Sequence, residues 1–416
     1  MTTAKNTSSY WETNPRVLAT SAEHSAFGEE QLFKLACRAS ARRSELLDPQ
    51  DVRLFVDENI VNPTQVQDWL PTLDRERSFA AYADRMTADA GSFALTINSL
   101  QQFGWDFWRA LRRQVDPILT ATERWSAGGV DCHLIASVYG TAPTLIHKDT
   151  AGVFTHVVSG FKRYFTWPFD TFDDIAGDGA LQRQVNLPAA VRVQDYQDTA
   201  TVVEGGPGAV LYWPSDRWHC ATSDGRYAVS LHIAHYQWDD RLSAMLAQLR
   251  KAAAADLALD RFASGPGFDS VGSEAVDAGV ITALARIVAD GGLSRHATLA
   301  RLKRVTASNF EVVPPLRTVA NLARDHVLTV PDVSAARTLS ADGMTYLAVN
   351  GHLARVAGGD WIDTFLPALR ARATRTVTGW IDAVRSSGGP SEDGEAAMFL
   401  RELVKRGALD VAEAAG

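Results

Sequence analysis

Two imidazoles and one carboxylate are the residues of this 416-residue chain best placed to do chemistry: His147 and Asp149, separated by Lys148, and His219, seventy residues after Asp149. Two histidines and a carboxylate on one side of a metal leave the opposite positions open for a co-substrate and dioxygen, the facial arrangement used by non-haem iron(II). His147 and Asp149 are two apart, so on a regular strand both point to one face. His219 follows Pro207-Gly-Ala-Val-Leu-Tyr-Trp-Pro-Ser-Asp-Arg-Trp218, a strand, a proline turn and an aromatic start to the next strand. In a closed β-barrel that position can lie across from the His147–Asp149 pair despite the sequence distance. The expected chemistry is oxygenation.

Neighbouring residues narrow the co-substrate. Lys162 comes fifteen residues after His147, in Gly160-Phe161-Lys162-Arg163, and Thr144 stands three residues before it. An ammonium and a hydroxyl beside an iron site suit a dicarboxylic 2-oxo acid, one end chelating the metal and the far carboxylate meeting a charged partner. Alternation along the strand-like Tyr227 to Tyr236 puts Ala228, Ser230, His232, Ala234 and Tyr236 on one face, with Tyr227, Val229, Leu231, Ile233 and His235 on the other. The small, polar face suits a co-substrate pocket, so His232 is a candidate contact; a hydrogen-bonded core histidine is the alternative. His133, His156 and His235 are lone histidines without a partner carboxylate in their strands and read as structural, and Trp213 and Trp218 read as packing.

The elements that must position these groups change along the chain. From Glu29 to Asp116 the pattern is mostly helical, with short apolar runs such as Val52 to Val56; Phe103 to Leu111 repeats apolar residues at helical spacing. Leu134–Tyr139, Val153–Val158, Arg163–Trp167, Ala209–Trp213 and Tyr227–Ala234 are short, β-branched or aromatic, and separated by Gly, Pro and Asp. Such strands predict a jelly roll. The stretch from Asp170 to Val203 is long for an internal connection and reads as a lid or as a solvated charged loop. After Trp238 helices are expected at Arg241 to Leu259 and Gly279 to Asp290. Further on come a strand at His326–Val330, a hairpin turning at Asn350-Gly351, and helices at Trp361 to Ala373, Thr376 to Val384 and Glu392 to Arg406. Helices plus one hairpin suggest a small winged-helix domain.

Composition sets outer limits. Hydrophobic residues make up 46% and charged residues 22%, ordinary for a globular protein, and 416 residues exceed what one core usually serves. A formal net charge of -8 disfavours a phosphate-backbone binder, so nucleic acid is not an expected partner. Met1 to Tyr10 is polar and no apolar run reaches the ~20 residues needed to cross a bilayer, so no membrane association and a cytoplasmic location are expected. Cys37, Cys132 and Cys220 form neither a disulfide framework nor a zinc pattern and read as buried thiols.

Thr144-Leu-Ile-His147-Lys-Asp149, Gly160-Phe-Lys162-Arg, the strand from Gly208 to Pro214 and Trp218-His219 together resemble the JmjC (cupin-like) Fe(II)- and 2-oxoglutarate-dependent oxygenases. The resemblance implies that His147, Asp149 and His219 bind iron, that Lys162 and Thr144 bind the distal carboxylate of 2-oxoglutarate, and that His232 lies beside the co-substrate. Tyr10-Trp11-Glu-Thr-Asn-Pro-Arg16 and Phe399 to Leu409 resemble the bacterial ribosomal-oxygenase branch, which implies a plan for the whole chain. That plan is an α+β protein with a double-stranded β-helix core and helical N-terminal support over 1–238, a helical connector or dimerisation region over 239–305, and a winged-helix-like domain over 306–416. Gly208-Ala209 departs from the Gly-Asp usual before the third ligand's strand.

The implied activity is a dioxygenase that hydroxylates an amino-acid side chain in a protein or peptide, with succinate and CO2 as co-products and a homodimer as the assembly. Asp149, a carboxylate where a halogenase needs a small residue, favours hydroxylation over halogenation. Hydroxylation of a free amino acid or natural-product intermediate is the runner-up, motivated by the 170–203 loop as a lid. Demethylation is a further possibility within the family, and a non-catalytic cupin-like binding module is the reading from a different class.

Overall fold

The computed structural model describes residues 11–20, 27–46, 51–57, 59–122, 125–177, 185–237, 282, 285–286, 288–289, 291–341, 343–356 and 359–412. The helix expected at Arg241 to Leu259 lies outside these residues, and so does much of Gly279 to Asp290. Two compact units emerge, one of Met1–Trp238 with Phe310–Pro315 and one of Asp239–Asn309 with Leu316–Gly416.

The first unit carries thirteen strands among its described residues: β1 (Arg16–Thr20), β2 (Val52–Val56), β3 (Asn59–Ile60), β4 (Phe93–Ile97), β5 (Gly129–Val138), β6 (His147–Lys148), β7 (Ala151–Ser159), β8 (Lys162–Trp167), β9 (Val185–Asn186), β10 (Thr201–Gly205), β11 (Ala209–Trp213), β12 (Trp218–Thr222) and β13 (Tyr227–Tyr236). They form two antiparallel sheets, ordered β1-β11-β7-β13-β5-β4-β2-β3 and β10-β8-β12-β6-β9. The inner faces meet through side chains from both sheets: Tyr164 of β8 stacks on Trp213 of β11 with ring centroids 4.4 Å apart, and the Lys162 ammonium of β8 reaches Ser137 of β5. Alternation of side chains puts Val153 and Val157 of β7 and Ala209 and Leu211 of β11 in the same inner cluster as Tyr164 and Trp213.

The outer face of the larger sheet is covered by N-terminal elements. The helix Trp105–Thr122 buries Phe107, Trp108, Leu111, Val115, Ile118 and Leu119 at helical spacing, one apolar stripe. Phe27 bridges that helix to the sheet, edge-on to Phe107 at 5.6 Å and to His156 of β7 at 5.3 Å. The helix Phe79–Ala90 starts where the Ser78 hydroxyl accepts from Ala81 N–H, an N-cap. The N-terminal region, expected to be helical support, also donates β1 to β4 to the larger sheet. Neither Arg16–Thr20 nor Phe93–Ile97 announces itself locally, because sheet membership depends on the neighbouring strand.

In the second unit the helices Trp361–Arg370, Val377–Ser386 and Asp393–Lys405 pack Phe365, Trp380, Val384, Leu400 and Leu403 into a separate core with Leu347 and Val349. The strands here are β14 (Val327–Thr329), β15 (Ala336–Ala341), β16 (Met344–Val349), β17 (His352–Val356), β18 (Thr374–Thr376) and β19 (Asp410–Val411). Asn350 (φ 50°) and Gly351 (φ 85°) make the two-residue turn between β16 and β17, with Val349 opposite His352. Where one hairpin was expected there are two three-stranded sheets, β18-β14-β19 and β15-β16-β17. The added strands are short or polar, so they lack the apolar alternation that marks a strand in sequence. Among the described residues no helix is long and apolar enough to cross a membrane.

Candidate metal centre

The short strand β6 carries His147 and leads directly into Asp149. Its His147 is paired in register with His219 of β12, and His219 is in turn opposite Thr166 of β8. The two imidazole centroids are 4.2 Å apart, and His219 Nε2 lies 3.9 Å from an Asp149 carboxylate oxygen. One potential ligand atom from each of His147, Asp149 and His219 lies within 4.8 Å of the others.

Each of these three side chains is oriented by a bond at its far side. His147 Nδ1 donates to the Leu145 carbonyl at 3.0 Å and His219 Nδ1 to the Arg217 carbonyl at 3.1 Å, in each case two residues upstream. With Nδ1 carrying the proton, both Nε2 lone pairs are left for a metal. The other Asp149 oxygen accepts from Ala151 N–H at 3.1 Å. Burial pushes both imidazoles down to about 4, so they are neutral near pH 7; His219 adds to the lowering at His147, and Asp149 opposes it. Burial raises the Asp149 carboxyl, with His147 opposing.

The spacer points the other way. Lys148 is fully buried, with its ammonium 3.7 Å from the Phe169 ring centroid and 4.8 Å from that of Trp218. That side of β6 is backed by described parts of the 170–203 segment: β9 pairs with β6, Leu187 N–H donates to Ile146 O at 2.9 Å, and Phe172, Leu187 and Val193 are buried against Trp167 and Trp218. Among the described residues of this segment Asp170, Asp173 and Asp174 are exposed, as the solvated-loop reading had it, while Phe172, Leu187 and Val193 pack behind β6. Trp218 belongs to this packing, as its sequence reading had it.

Along β8 the alternation Lys162, Tyr164, Thr166 continues the inner face from His219. Lys162 is fully buried, and its ammonium donates to Ser137 Oγ at 2.8 Å and Tyr139 Oη at 2.9 Å, both uncharged. Among the described residues no carboxylate is within ion-pair distance of it, an expensive state for a buried cation unless an anion joins it. The turn that aims Lys162 depends on Gly160, at φ 72°, where a Cβ would collide with the Tyr227 carbonyl.

Thr144 is exposed, ahead of a left-handed Leu145 at φ 58°, and the partners of the Lys162 ammonium are Ser137 and Tyr139. Both residues were readable in Leu134-Ile-Ala-Ser-Val-Tyr139, where they share one face at a spacing of two. His232 faces inward: its Nε2 meets Tyr164 Oη and Ser230 Oγ, each at 3.1 Å, and it is 6.2 Å from Trp213. His133 is held between Asn98 at 2.8 Å and Tyr236 at 3.2 Å. Its Nε2 lies 3.4 Å from the carboxylate of Asp131 in the same strand, so it does have the partner carboxylate that the sequence reading denied it. His156 and His235 sit among aromatic rings on the outer face. Cys37, Cys132 and Cys220 are buried free thiols.

No protein-family model and no curated protein matches this sequence. Among solved structures, the chain is similar to an X-ray structure of YcfD from E. coli, 16% identical over 97% of this chain and 96% of that one, with a TM-score of 0.49. It is similar to YcfD, a ribosomal oxygenase from Escherichia coli, in complex with cobalt and 2-oxoglutarate, at 14% identity, the same coverages and a TM-score of 0.49. A mutant of the Bacillus subtilis oxalate decarboxylase OxdC is 9% identical over 36% of this chain and 26% of that one, with a TM-score of 0.19.

Proposed function

We propose that the chain is an Fe(II)- and 2-oxoglutarate-dependent dioxygenase that hydroxylates an amino-acid side chain in a protein or peptide, built on a double-stranded β-helix with a winged-helix-like domain at its C-terminal end. The observation that carries this reading is a three-ligand set and a buried lysine on one inner face. Two neutral imidazole nitrogens and a carboxylate oxygen within 4.8 Å of one another form a donor set that fits iron(II) and leaves positions for other ligands.

Iron(II) held there with a 2-oxo acid supplies dioxygen activation coupled to decarboxylation, the chemistry that hydroxylates a C–H bond and yields succinate and CO2. The chain supplies position and environment. His147, Asp149 and His219 would hold the metal, their orientations fixed by Leu145, Ala151 and Arg217. Lys162 would meet the distal carboxylate with a charge-assisted bond, and Tyr139 and Ser137 aim its ammonium. His232, neutral because burial lowers its pKa well below the ordinary value, would face the co-substrate with a polar edge shared with Tyr164.

A protein or peptide substrate follows from the sequence resemblance. The small-molecule alternative rests on the 170–203 segment as a lid, whereas its described residues Phe172, Leu187 and Val193 are buried against Trp167 and Trp218. Incubation with Fe(II), 2-oxoglutarate and a cell lysate is expected to add one oxygen atom to a polypeptide, detected by intact mass, with matching succinate. Oxygen gained only by small metabolites contradicts the protein-substrate reading.

A further inference from the structure

The turn between β11 and β12 touches both halves of the ligand set. Asp216, left-handed at φ 60°, donates its N–H to the Asp149 carbonyl at 3.2 Å, and the next carbonyl, Arg217, receives His219 Nδ1–H at 3.1 Å. The residue before them, Ser215, is gripped by Glu12, some two hundred residues away in sequence. One Glu12 carboxylate oxygen accepts from Ser215 N–H at 3.0 Å and also from the Ser215 hydroxyl. Glu12 N–H donates to Tyr212 Oη at 2.8 Å, on the strand leading into the same turn.

The seat for that carboxylate is built. Gly152, three residues after Asp149, leaves the space: a Cβ there would collide with a Glu12 carboxylate oxygen. Glu12 itself is held in the left-handed region at φ 53°, a cost that an L side chain bears only where its surroundings fix it. Trp11 anchors the segment, stacking on Phe154 at 5.9 Å and Tyr212 at 6.1 Å and meeting His235 edge-on at 5.3 Å.

We propose that Glu12 is a positioning residue of the metal centre: it clamps Ser215, so that the two residues after it hold the Asp149 backbone and the His219 ring in ligating geometry. The inference rests on the reading of His147, Asp149 and His219 as metal ligands. Groups that orient metal ligands without touching the metal typically change metal affinity by about 10- to 100-fold when removed.

The test is a cobalt(II) titration of the metal-free protein, followed by the visible absorption of the bound ion, alongside its thermal unfolding. Glu12→Gln keeps the size and weakens the acceptor; Glu12→Ala removes it; Gly152→Ala fills the seat from the other side. All three are expected to raise the cobalt Kd by about 10- to 100-fold. Ser215→Ala added to Glu12→Gln should cost no more than Glu12→Gln alone, because both act along one path. Trp11→Ala serves as the control for general loosening of the segment. If it lowers the melting temperature of the metal-free protein as Glu12→Ala does and raises the Kd equally, Glu12 has only a structural role and the proposal is overturned. Should Glu12→Ala not fold, Glu12→Gln decides: a Kd within twofold of the wild type overturns the clamp. Wild-type binding with unchanged variants removes the clamp alone; no binding by the wild type removes the clamp and the proposed function together.

Discussion

His232 and His235 stand three residues apart on β13 and occupy opposite environments. His232 turns inward, where Tyr164 and Ser230 hydroxyls meet its Nε2. His235 turns outward into a fully buried box of Trp11 and Phe154, where neither ring nitrogen has a hydrogen-bond partner among the described residues. Burial lowers both pKa values, that of His235 to about 3. The same residue type on one strand thus serves a polar interior on one face and packing on the other, and the two-residue period of the strand decides which. Inner-face changes should alter chemistry and outer-face changes should alter stability.

The largest effect is expected from the ligands. Asp149→Ala or His219→Ala should abolish iron-dependent succinate formation while the metal-free protein keeps its far-ultraviolet circular dichroism; turnover near wild type in either variant removes the assigned set. Next is the far end of the same face. Lys162→Ala should raise the 2-oxoglutarate KM by roughly 10- to 100-fold, the equivalent of ~1.5–3 kcal/mol for a hydrogen bond to a charged group, with cobalt binding unchanged. An unchanged KM takes Lys162 out of that role. Tyr139→Phe removes one uncharged partner and should move the same KM by only about 2- to 10-fold, in keeping with ~0.5–1.5 kcal/mol.

The outer face answers to pH. His235 and His156, lowered by burial to about 3 and about 4 from an ordinary 6.5, stay neutral in the fold while the unfolded chain takes up protons first. Their contribution to stability is therefore complete above about pH 6.5 and is lost as the pH falls toward those lowered values. His235→Phe should change denaturant stability at pH 7 by less than about 1.5 kcal/mol, as a volume-conserving core substitution does, and should make the decline between pH 6.5 and 4 shallower. An equally steep decline in the variant contradicts the assignment of His235.

Much of this was legible in the chain because the signals are local. His147, Asp149 and His219 share one inner face, as the two-residue spacing and the strand-turn-strand before His219 indicated, and the strand at Ala209–Trp213 matches its sequence reading end to end. Thr144 was read from its distance to His147; it stands exposed ahead of the left-handed Leu145. Tyr139 and Ser137 were passed over because their role needs Lys162 on the facing sheet. The strands Arg16–Thr20 and Phe93–Ile97 escaped for a related reason: each is defined by pairing with a strand far along the chain, Phe93–Ile97 with β5 and Arg16–Thr20 with β11. The segment from Asp170 to Val203 looked irregular because its β9 pairing is only two residues long and its burial is nonlocal.

His147, Asp149, His219 and Lys162 are proposed to form one site for a metal and a dicarboxylic 2-oxo acid. Anaerobic absorption spectroscopy of the protein with Fe(II), before and after 2-oxoglutarate, tests this assignment most directly. A visible charge-transfer band is expected on adding 2-oxoglutarate, absent in Asp149→Ala and needing a higher 2-oxoglutarate concentration in Lys162→Ala. A wild-type protein that gives no band, or a band unaffected by both substitutions, contradicts it.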